Sequence, residues 1–491
     1  MRARLLFTYL ALAAVVAVGA SGCNGQTDGS ALTVQTLAEP GSDHFRLLEA
    51  ALAKFEELHP ETKVTLVGDR LKLDYLIRSV IAGQSADVFE VCAGEIVFLA
   101  SRGALTDLTA DCLSLYPKCS PHAWKWGVLE KRFYAVPWAA LPTLLLYNKQ
   151  AFKAAKKALE ASDVQGRVPP ETWDELLKVA TTLEGGGPPE TWNDLLKAAT
   201  VLTLAGDVNG DGARDYGFAF AAKNSGDLGR HFATFLAQLG QPLLRNTEGV
   251  WAFRIDTAEG RRVTTFLLQL QKVAPPECVV TDDAAALEQF RAGKAAMVFA
   301  TPAGLTCCAE EHEHMEIAAA PMPAPAEGVT RSDVSFRYMC VPAFVRGERR
   351  AAAVKLATFM AGAEAQEIVA RGLQDTTPAI AVRQELLEGN FYDQRPQLQT
   401  FARAIRNAIP VFPSLVWEGK CCKDWLGWIH SVLVDDRRSV DEVVPIAQEK
   451  GAQALSCLYT NIGHPSLTIQ LGMVTAGALV FAAVAYVVAR R

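Results

Sequence analysis

The sequence contains none of the common motifs that mark an enzyme active site. Its 491 residues hold no Gly-rich phosphate loop, no Gly-x-Ser-x-Gly nucleophile motif and no His-Glu-x-x-His metal motif. A run of Lys or Arg is also missing, and the formal net charge is −6. A chain with this charge is not attracted to the phosphate backbone of nucleic acids. We therefore predict a protein that is not an enzyme and that does not bind nucleic acid.

The eleven cysteines lack the paired Cys-x-x-Cys spacing of a zinc site. Cys23 belongs to the N-terminal segment, and the even number that remains predicts disulfides outside the cytoplasm. Cys112 and Cys119 are close enough in sequence to form a local bridge. The adjacent pairs at 307–308 and 421–422 are expected to bond elsewhere. A soft-metal site at residues 307–314 (CCAEEHEH) is the alternative for that segment.

The N-terminal segment has the pattern of a signal peptide. Two Arg residues precede an apolar stretch at 5–18, and small residues follow it, which predicts a signal peptide over residues 1–22. Residues 20–23 (ASGC) also resemble a bacterial lipobox, which would place a lipid anchor on Cys23. The alternative is an ordinary cleavage site with an unmodified cysteine.

A second apolar segment lies near the C-terminus. Residues 467–489 carry no charge and are followed by two Arg residues. This length predicts a transmembrane helix, and the terminal Arg pair predicts a cytoplasmic C-terminus. A buried helix of the main domain is the alternative. Together with the lipid anchor, the helix would hold the chain on the outer face of the cell membrane.

After the signal peptide, candidate strands and helices alternate. Strands are predicted at 31–37, 63–67 and 86–91; a helix capped by Ser42 ends at Pro60, and a second covers 72–82. This order predicts a mainly parallel sheet, and ligands of such sheets bind at the carboxyl ends of the strands. Asp87 and Glu90 are therefore expected near a site. The remaining length is too great for one core and predicts two lobes.

An ordered set of motifs resembles the solute-binding proteins of ABC importers, in the extracellular family 1 group typified by sugar binders. The matching segments are FEELHPETKV at 55–64, SADVFEV at 85–91, GALTDL at 103–108, YAVP at 134–137, LYNK at 146–149, PPETWDEL at 169–176, FRAGKAAM at 290–297, and a helix at 352–366. Each segment is short, but their order along the chain is that of the family.

The resemblance implies a two-lobed α/β fold, the periplasmic-binding-protein type II fold with mixed parallel sheets, to which the C-terminal transmembrane helix is added. Lobe 1 is expected to comprise 31–137 and about 300–345, and lobe 2 to comprise 138–299 and about 346–460. The implied function is capture of a small solute, a carbohydrate, for delivery to an ABC permease, with no required cofactor. The alternative is a tethered sensor that reports its ligand to a membrane partner.

Sugar binders stack rings on aromatic side chains and bond hydroxyl groups to charged or amide side chains. By position in the family, the candidate ligand residues are Asp87, Glu90, Trp138, Phe336, Arg337, Tyr338 and Trp417. Any one aromatic residue has packing in the core as its alternative role. Arg337 is expected to pair either with a ligand carboxylate, such as a uronate, or with an acid of the lobe such as Glu90.

Two further patterns lie within the predicted second lobe. The PPETW sequence at 169–173 recurs at 188–192, a tandem duplication of one helix start. The second pattern is DVNGDGARD at 207–215, which has the spacing of a calcium loop. Its oxygen ligands would be Asp207, Asn209, Asp211 and Asp215. The usual glutamate at the twelfth position is replaced by Phe218, and an Asx-turn loop is the alternative.

Overall fold

The structure is a computed structural model that describes residues 31–68, 73–161, 188–207, 214–247, 250–305, 315–326, 332–373, 376–410 and 420–461. Its strands are β1 Ala31–Thr36, β2 Lys63–Gly68, β3 Val88–Val91, β4 Val128–Leu129, β5 Arg132–Phe133, β6 Val136–Pro142, β7 Leu144–Asn148, β8 Leu244–Thr247, β9 Val250–Phe253, β10 Met297–Ala300, β11 Ile317–Ala320, β12 Asp333–Cys340 and β13 Ile409–Pro410.

The α-helices are α1 Asp43–Leu58, α2 Leu73–Ile81, α3 Ala93–Ser101, α4 Thr109–Cys112, α5 Pro121–Trp124, α6 Lys149–Ala161, α7 Trp192–Ala205, α8 Gly226–Gln238, α9 Ala258–Lys272, α10 Asp283–Arg291, α11 Gly347–Phe359, α12 Ala363–Arg371, α13 Gln384–Glu388, α14 Pro396–Arg406, α15 Lys420–Val434 and α16 Val440–Asn461. Short 3-10 helices cover Tyr116–Lys118 and Pro276–Val280.

The first helix forms where local sequence signals predict it. The Ser42 side chain caps α1 by accepting a hydrogen bond from the Phe45 backbone N–H at 3.3 Å. Phe45, Leu48, Leu52 and Phe55 are buried on one face, as their spacing predicts. The predicted start, end and buried face of this helix are confirmed.

The first lobe is built on a mixed sheet with the strand order β13-β12-β3-β1-β2, and β6 also pairs with β12. The strands β1, β2 and β3 are parallel, as the alternation of strands and helices predicts. The strand β12 runs antiparallel to both β3 and β6 and lies at the centre of the lobe. The carboxyl ends of β1 and β3 therefore lie at the same edge of the sheet as the first residues of β12.

Helices that follow β12 pack on this first sheet. The helix α11 lies against β1, and α12 lies against α1. The rings of Phe55 and Phe359 meet edge to face, with their centroids 5.3 Å apart. The described residues 347–373 and 376–406 therefore share the core of the first lobe, whereas the predicted division placed everything after about 346 in the second. The apolar side chains of α11 and α12 are thereby buried in the core of the first lobe.

The second lobe contains an antiparallel sheet with β7 between β10 and β11. Its core includes Trp192 at the start of α7, the second copy of the duplicated helix. Thr191 and Asp194 form a capping box there, each side chain bonding to the backbone N–H of the other. The first copy, at 169–173, lies outside the described residues.

The chain passes between the two sheets more than once. The strand β6 belongs to the first sheet and β7 to the second, so the chain crosses between them at Thr143. It is back in the first sheet at β12, which begins at Asp333. We call Thr143 and the residues Ser332 and Asp333 the crossing segments.

The predicted fold class needs one correction. Within the described ranges, no helix is both long and apolar enough to cross a membrane. The last described helix, α16, carries Asp441 and Glu442 in its first turn and Pro445 in its interior. The two-lobed α/β fold is confirmed, whereas the predicted C-terminal transmembrane helix, and the membrane localisation that depended on it, are not supported by this finding. Residues 467–489, to which the helix was assigned, lie outside the described residues, as do the signal peptide and Cys23.

The predicted local disulfide is not found. Cys112 and Cys119 are both almost fully buried in the first lobe, and both are reduced. Burial raises the pKa of each thiol to about 12, so both remain protonated at neutral pH. The other cysteines whose side chains the structure describes are Cys92, Cys278 and Cys340, and no disulfide involves them either.

Candidate functional site

A buried carboxylate, Glu90, is the centre of a polar cluster at the carboxyl ends of β1 and β3. Thr36 is the last residue of β1, and Glu90 lies in β3 beside it. His44 comes from the first turn of α1, and Trp138 from β6. Four separate elements thus bring polar side chains to the edge where parallel sheets bind ligands. We call this group the Glu90 cluster.

Hydrogen bonds to both carboxylate oxygens hold the Glu90 cluster together. The Thr36 hydroxyl donates to Oε2. The Trp138 indole N–H donates to Oε1 at 3.1 Å, and His44 Nε2 lies 2.7 Å from the same oxygen. The rings of His44 and Trp138 also touch, with centroids 5.3 Å apart. Only 3% of the Glu90 side chain is exposed, against 17% for His44.

The surroundings keep Glu90 ionised. Burial works to raise the pKa of this carboxyl. The positive charge and hydrogen bond of His44, the charge of Arg337 and the Thr36 hydrogen bond outweigh burial and lower the pKa from 4.5 to about 2. Glu90 therefore stays ionised at neutral pH, surrounded by hydrogen-bond donors.

Arg337 reaches this cluster from the central strand. Pairing between β12 and β6 slips by one residue between Arg337 and Tyr338, which is a β-bulge. The Arg337 guanidinium donates a hydrogen bond to the Cys92 sulfur at the start of α3. Its charge also helps to lower the pKa of Glu90. Which of the two expected roles Arg337 takes stays a prediction.

Several predicted ligand residues lie elsewhere or are fully covered. Asp87 forms an ion pair with Arg349, with Oδ2 2.6 Å from Nη2, and accepts the Thr33 backbone N–H at 2.8 Å. It therefore fastens α11 to β1. Phe336 and Tyr338 are 2% and 0% exposed and pack in the first core. Trp417 lies outside the described residues, so its role stays a prediction.

Trp138 contacts Glu90 through the N–H at the edge of its indole ring, and neither face of the ring is open. Its side chain is 0% exposed, so neither ring face is accessible to solvent in this structure. The contact that the structure shows is the indole N–H bond to Glu90. Stacking of a sugar on this ring stays a prediction and requires the ring to be uncovered first.

Two members of the cluster were not predicted from the sequence. Thr36 ends the first strand, and His44 follows the helix cap at Ser42. Both positions face the sheet edge by the same topological rule that selected Glu90. The positions at the end of β1 and the start of α1 could therefore have been selected as candidate site residues from the sequence.

Gln366 of α12 forms hydrogen bonds to the backbone that carries Trp138 of the Glu90 cluster. Its Nε2 donates to the backbone carbonyls of Trp138 at 2.6 Å and Met360 at 2.7 Å. Its Oε1 accepts the Val382 backbone N–H at 2.7 Å. Gln366 is 0% exposed. It therefore fixes the backbone of β6 at the residue whose indole bonds to Glu90.

The predicted metal ligands are only partly described. Asp207 and Asp215 lie at the two ends of the loop, and Asn209 and Asp211 lie outside the described residues. No group of three or more His, Cys, Asp or Glu side chains in the described ranges is arranged to hold a metal ion. The segment 307–314, the alternative soft-metal site, is likewise outside them. The calcium loop stays a prediction.

Comparison with known proteins agrees with this architecture. Residues 50–400 match the family described as Bacterial extracellular solute-binding protein. A comparison of the sequence with curated proteins gave no match. Among solved structures, an ABC transporter solute-binding protein from Thermotoga lettingae, bound with alpha-D-tagatose, has a TM-score of 0.67 at 19% identity. The match covers 87% of this chain and 100% of that one.

Two further solved structures are similar to the same extent. Maltose-bound MalE3 of T. maritima has a TM-score of 0.65 at 18% identity. The maltose/maltodextrin-binding domain MalE from Bdellovibrio bacteriovorus, bound to maltotriose, has a TM-score of 0.64 at 18% identity. Each match covers 87% of this chain and 100% of the other chain. At these identities the likeness shows the fold.

Proposed function

Because the chain belongs to the bacterial extracellular solute-binding protein family, we propose that its solute is a small carbohydrate, which it delivers to the permease of an ABC importer. The family is one of binding proteins, and the prediction that the chain is not an enzyme is confirmed on that ground. The two lobes would close on the solute by rotation at the crossing segments. The Glu90 cluster would form the first lobe's side of the binding site.

The observation that carries the proposal is the ionised Glu90 carboxylate among hydrogen-bond donors. A carboxylate offers about four acceptor positions, and Thr36, His44 and Trp138 occupy three of them. The fourth would accept from a ligand donor. A sugar hydroxyl suits this position because it can donate to Glu90 and accept from a neighbouring His or Arg. An anionic group would meet the charge of Glu90 directly.

The solved relatives support this choice of solute. Three proteins of the same fold are bound with tagatose, maltose and maltotriose respectively. All three ligands are uncharged saccharides. We take this as support for the carbohydrate class and not as the identity of the ligand.

A thermal-shift screen of the purified protein against D-tagatose, maltose, maltotriose and D-glucuronate tests the proposal. A bound sugar stabilises the folded state by about 2.7 kcal/mol at a hundred times its Kd, so the melting temperature should rise. Glu90→Gln should weaken or abolish that rise, measured against its own unliganded form. Glu367→Gln, which removes one partner of an exposed ion pair with Arg371, should leave it unchanged.

A screen in which no saccharide raises the melting temperature, while an amino acid or a peptide does, would contradict the carbohydrate proposal. Delivery is tested in cells. Deleting the gene should abolish uptake of the radiolabelled sugar, and the wild-type chain should restore it where Glu90→Gln does not. Uptake that persists without the gene would argue against a role in import.

We also propose a structural calcium ion in the 207–215 loop, beyond the general expectation that such proteins need no cofactor. Its support is the spacing of Asp207, Asn209, Asp211 and Asp215 in the sequence. The ion would join the helix α7 to the residues after 215 and would take no part in solute binding.

A further inference from the structure

The two crossing segments lie side by side and are joined by a backbone hydrogen bond. The Thr143 backbone N–H donates to the Asp333 carbonyl oxygen at 2.9 Å. Thr143 links β6 to β7, and Asp333 is the first residue of β12. Any rotation of one lobe against the other must turn the backbone close to this pair.

A single side chain of the second lobe contacts both crossing segments. Arg230, in the first half of α8, donates from Nη1 to Asp333 Oδ2 at 2.5 Å and to Thr143 Oγ1 at 3.2 Å. Its Nη2 donates to the Asp283 carboxylate at the start of α10. His231 Nε2 lies 3.0 Å from the other oxygen of Asp283. Arg230 thus joins two helices of the second lobe to both crossings.

Burial makes these contacts depend on one another. The Asp333 side chain is 0% exposed and the Arg230 side chain 18%. Burial works to lower the pKa of Arg230, but Asp283 and Asp333 raise it above its ordinary value, so the guanidinium stays charged. A buried carboxylate that loses its cation keeps the full penalty of desolvation, which makes the broken pair much less stable than the intact one.

We propose that Arg230 is a positioning residue that holds the second lobe on the two crossing segments and so sets the angle between the lobes before any solute binds. The proposal rests on the proposed function only in that closure of the lobes is what binding requires. Its direct evidence is the bridge from α8 to Thr143 and Asp333. Without Arg230, the Asp333 carboxylate would draw water into the crossing, and the lobes would sample wider angles.

The test uses the purified chain without any sugar, so it is independent of which solute the protein takes. Arg230→Ala is compared with wild type by backbone amide hydrogen exchange and by small-angle X-ray scattering. We expect the Thr143 amide to exchange roughly 10- to 100-fold faster, because its bond to Asp333 opens more often. The radius of gyration should increase. Arg230→Lys should lie between the two, because an ammonium cannot bridge all three acceptors at once.

The matched control is Arg261→Ala. Arg261 also bridges two carboxylates, with Nη2 2.7 Å from Asp256 and Nε 3.0 Å from Asp441, but both lie within the second lobe. The Arg261→Ala variant should leave the exchange rate of the Thr143 amide and the radius of gyration at wild-type values. If Arg230→Ala matches wild type in both measurements, or if both variants change them equally, the proposal is overturned.

A milder pair of variants covers the case in which Arg230→Ala does not fold. Thr143→Val removes the hydroxyl that accepts from Arg230 while nearly keeping the side-chain volume. Asp333→Asn keeps the shape of the other acceptor but removes its charge. Each should raise the exchange rate of residue 143 with Arg230 present. Wild-type exchange in both variants would overturn the proposal as well.

Discussion

Replacing Glu90 by Gln removes one negative charge from the first lobe while keeping the length and branching of the side chain. Thr36, His44 and Trp138 all donate to this carboxylate. An amide has one acceptor oxygen and brings two donor hydrogens of its own. In the variant, the amide NH2 faces either the Thr36 hydroxyl, which must then give up its own donation, or the N–H groups of His44 and Trp138, which then face another donor. We expect the variant to fold with a lower free energy of unfolding.

The pKa of Glu90 gives the magnitude. A fall from 4.5 to about 2 corresponds to about 3 kcal/mol of extra interaction in the charged form. Glu90 is only 3% exposed, so solvent screening does not reduce this figure much. The pKa in the folded protein lies below that of the unfolded chain. The contribution is therefore complete above pH 4.5 and is lost as the pH falls from 4.5 towards 2.

Urea denaturation of wild type and Glu90→Gln at pH 7, 5, 4 and 3 checks both the size and the sign. The difference in free energy of unfolding should be about 3 kcal/mol at pH 7 and should shrink steadily below pH 4.5. Glu367→Gln, at an exposed ion pair, should differ from wild type by less than about 0.5 kcal/mol. A difference for Glu90→Gln that is equally small, or that grows as the pH falls, would refute the reasoning.

Three further outcomes are expected. Trp138→Ala should lower the free energy of unfolding by about 3–5 kcal/mol in chemical denaturation, because the ring is fully buried; a stability close to wild type would show that the ring leaves the core easily. Gln366→Leu should lower the same quantity by roughly 3 kcal/mol, because two carbonyls and one N–H lose a buried partner, and an unchanged value would mean that water replaces the amide. Adding EDTA should lower the melting temperature of wild type but not of Asp211→Ala, and identical melting curves with and without calcium would leave the 207–215 loop as a plain turn.

The parts of the fold that the sequence predicts are those with local causes. Ser42 and the apolar spacing of α1 are read within one segment, and the structure confirms them. Glu90 was selected by a topological rule, since the carboxyl ends of parallel strands share one edge. Asp87 was selected by the same rule, but β3 begins only at Val88, so Asp87 lies at the amino end of the strand, and its partner Arg349 lies 262 residues further along the chain. Nothing local shows that this carboxylate is already paired.

Long-range packing explains the other differences. The family segment at 352–366 was predicted as one helix, but the structure divides it between α11 and α12, and only the structure shows that Gln366 bonds to the Trp138 carbonyl. The same contact is one of those that join α12 to the first lobe and not, as expected, to the second. Trp138 was expected as a ring platform because of its position in the family. Its burial depends on neighbours from several distant segments, which a single sequence does not reveal.

The central position of β12 has a consequence for the order of folding. This strand pairs with β3 and β6, yet it follows β6 by on the order of 200 residues of chain. Until β12 has been synthesised and has docked, β3 and β6 present unpaired edges that another chain could join. The sheet of the first lobe therefore closes late, after the second lobe has all the strands of its own sheet. A mutation that slows the docking of β12 would reduce the yield of soluble protein without changing the stability of the molecules that do fold.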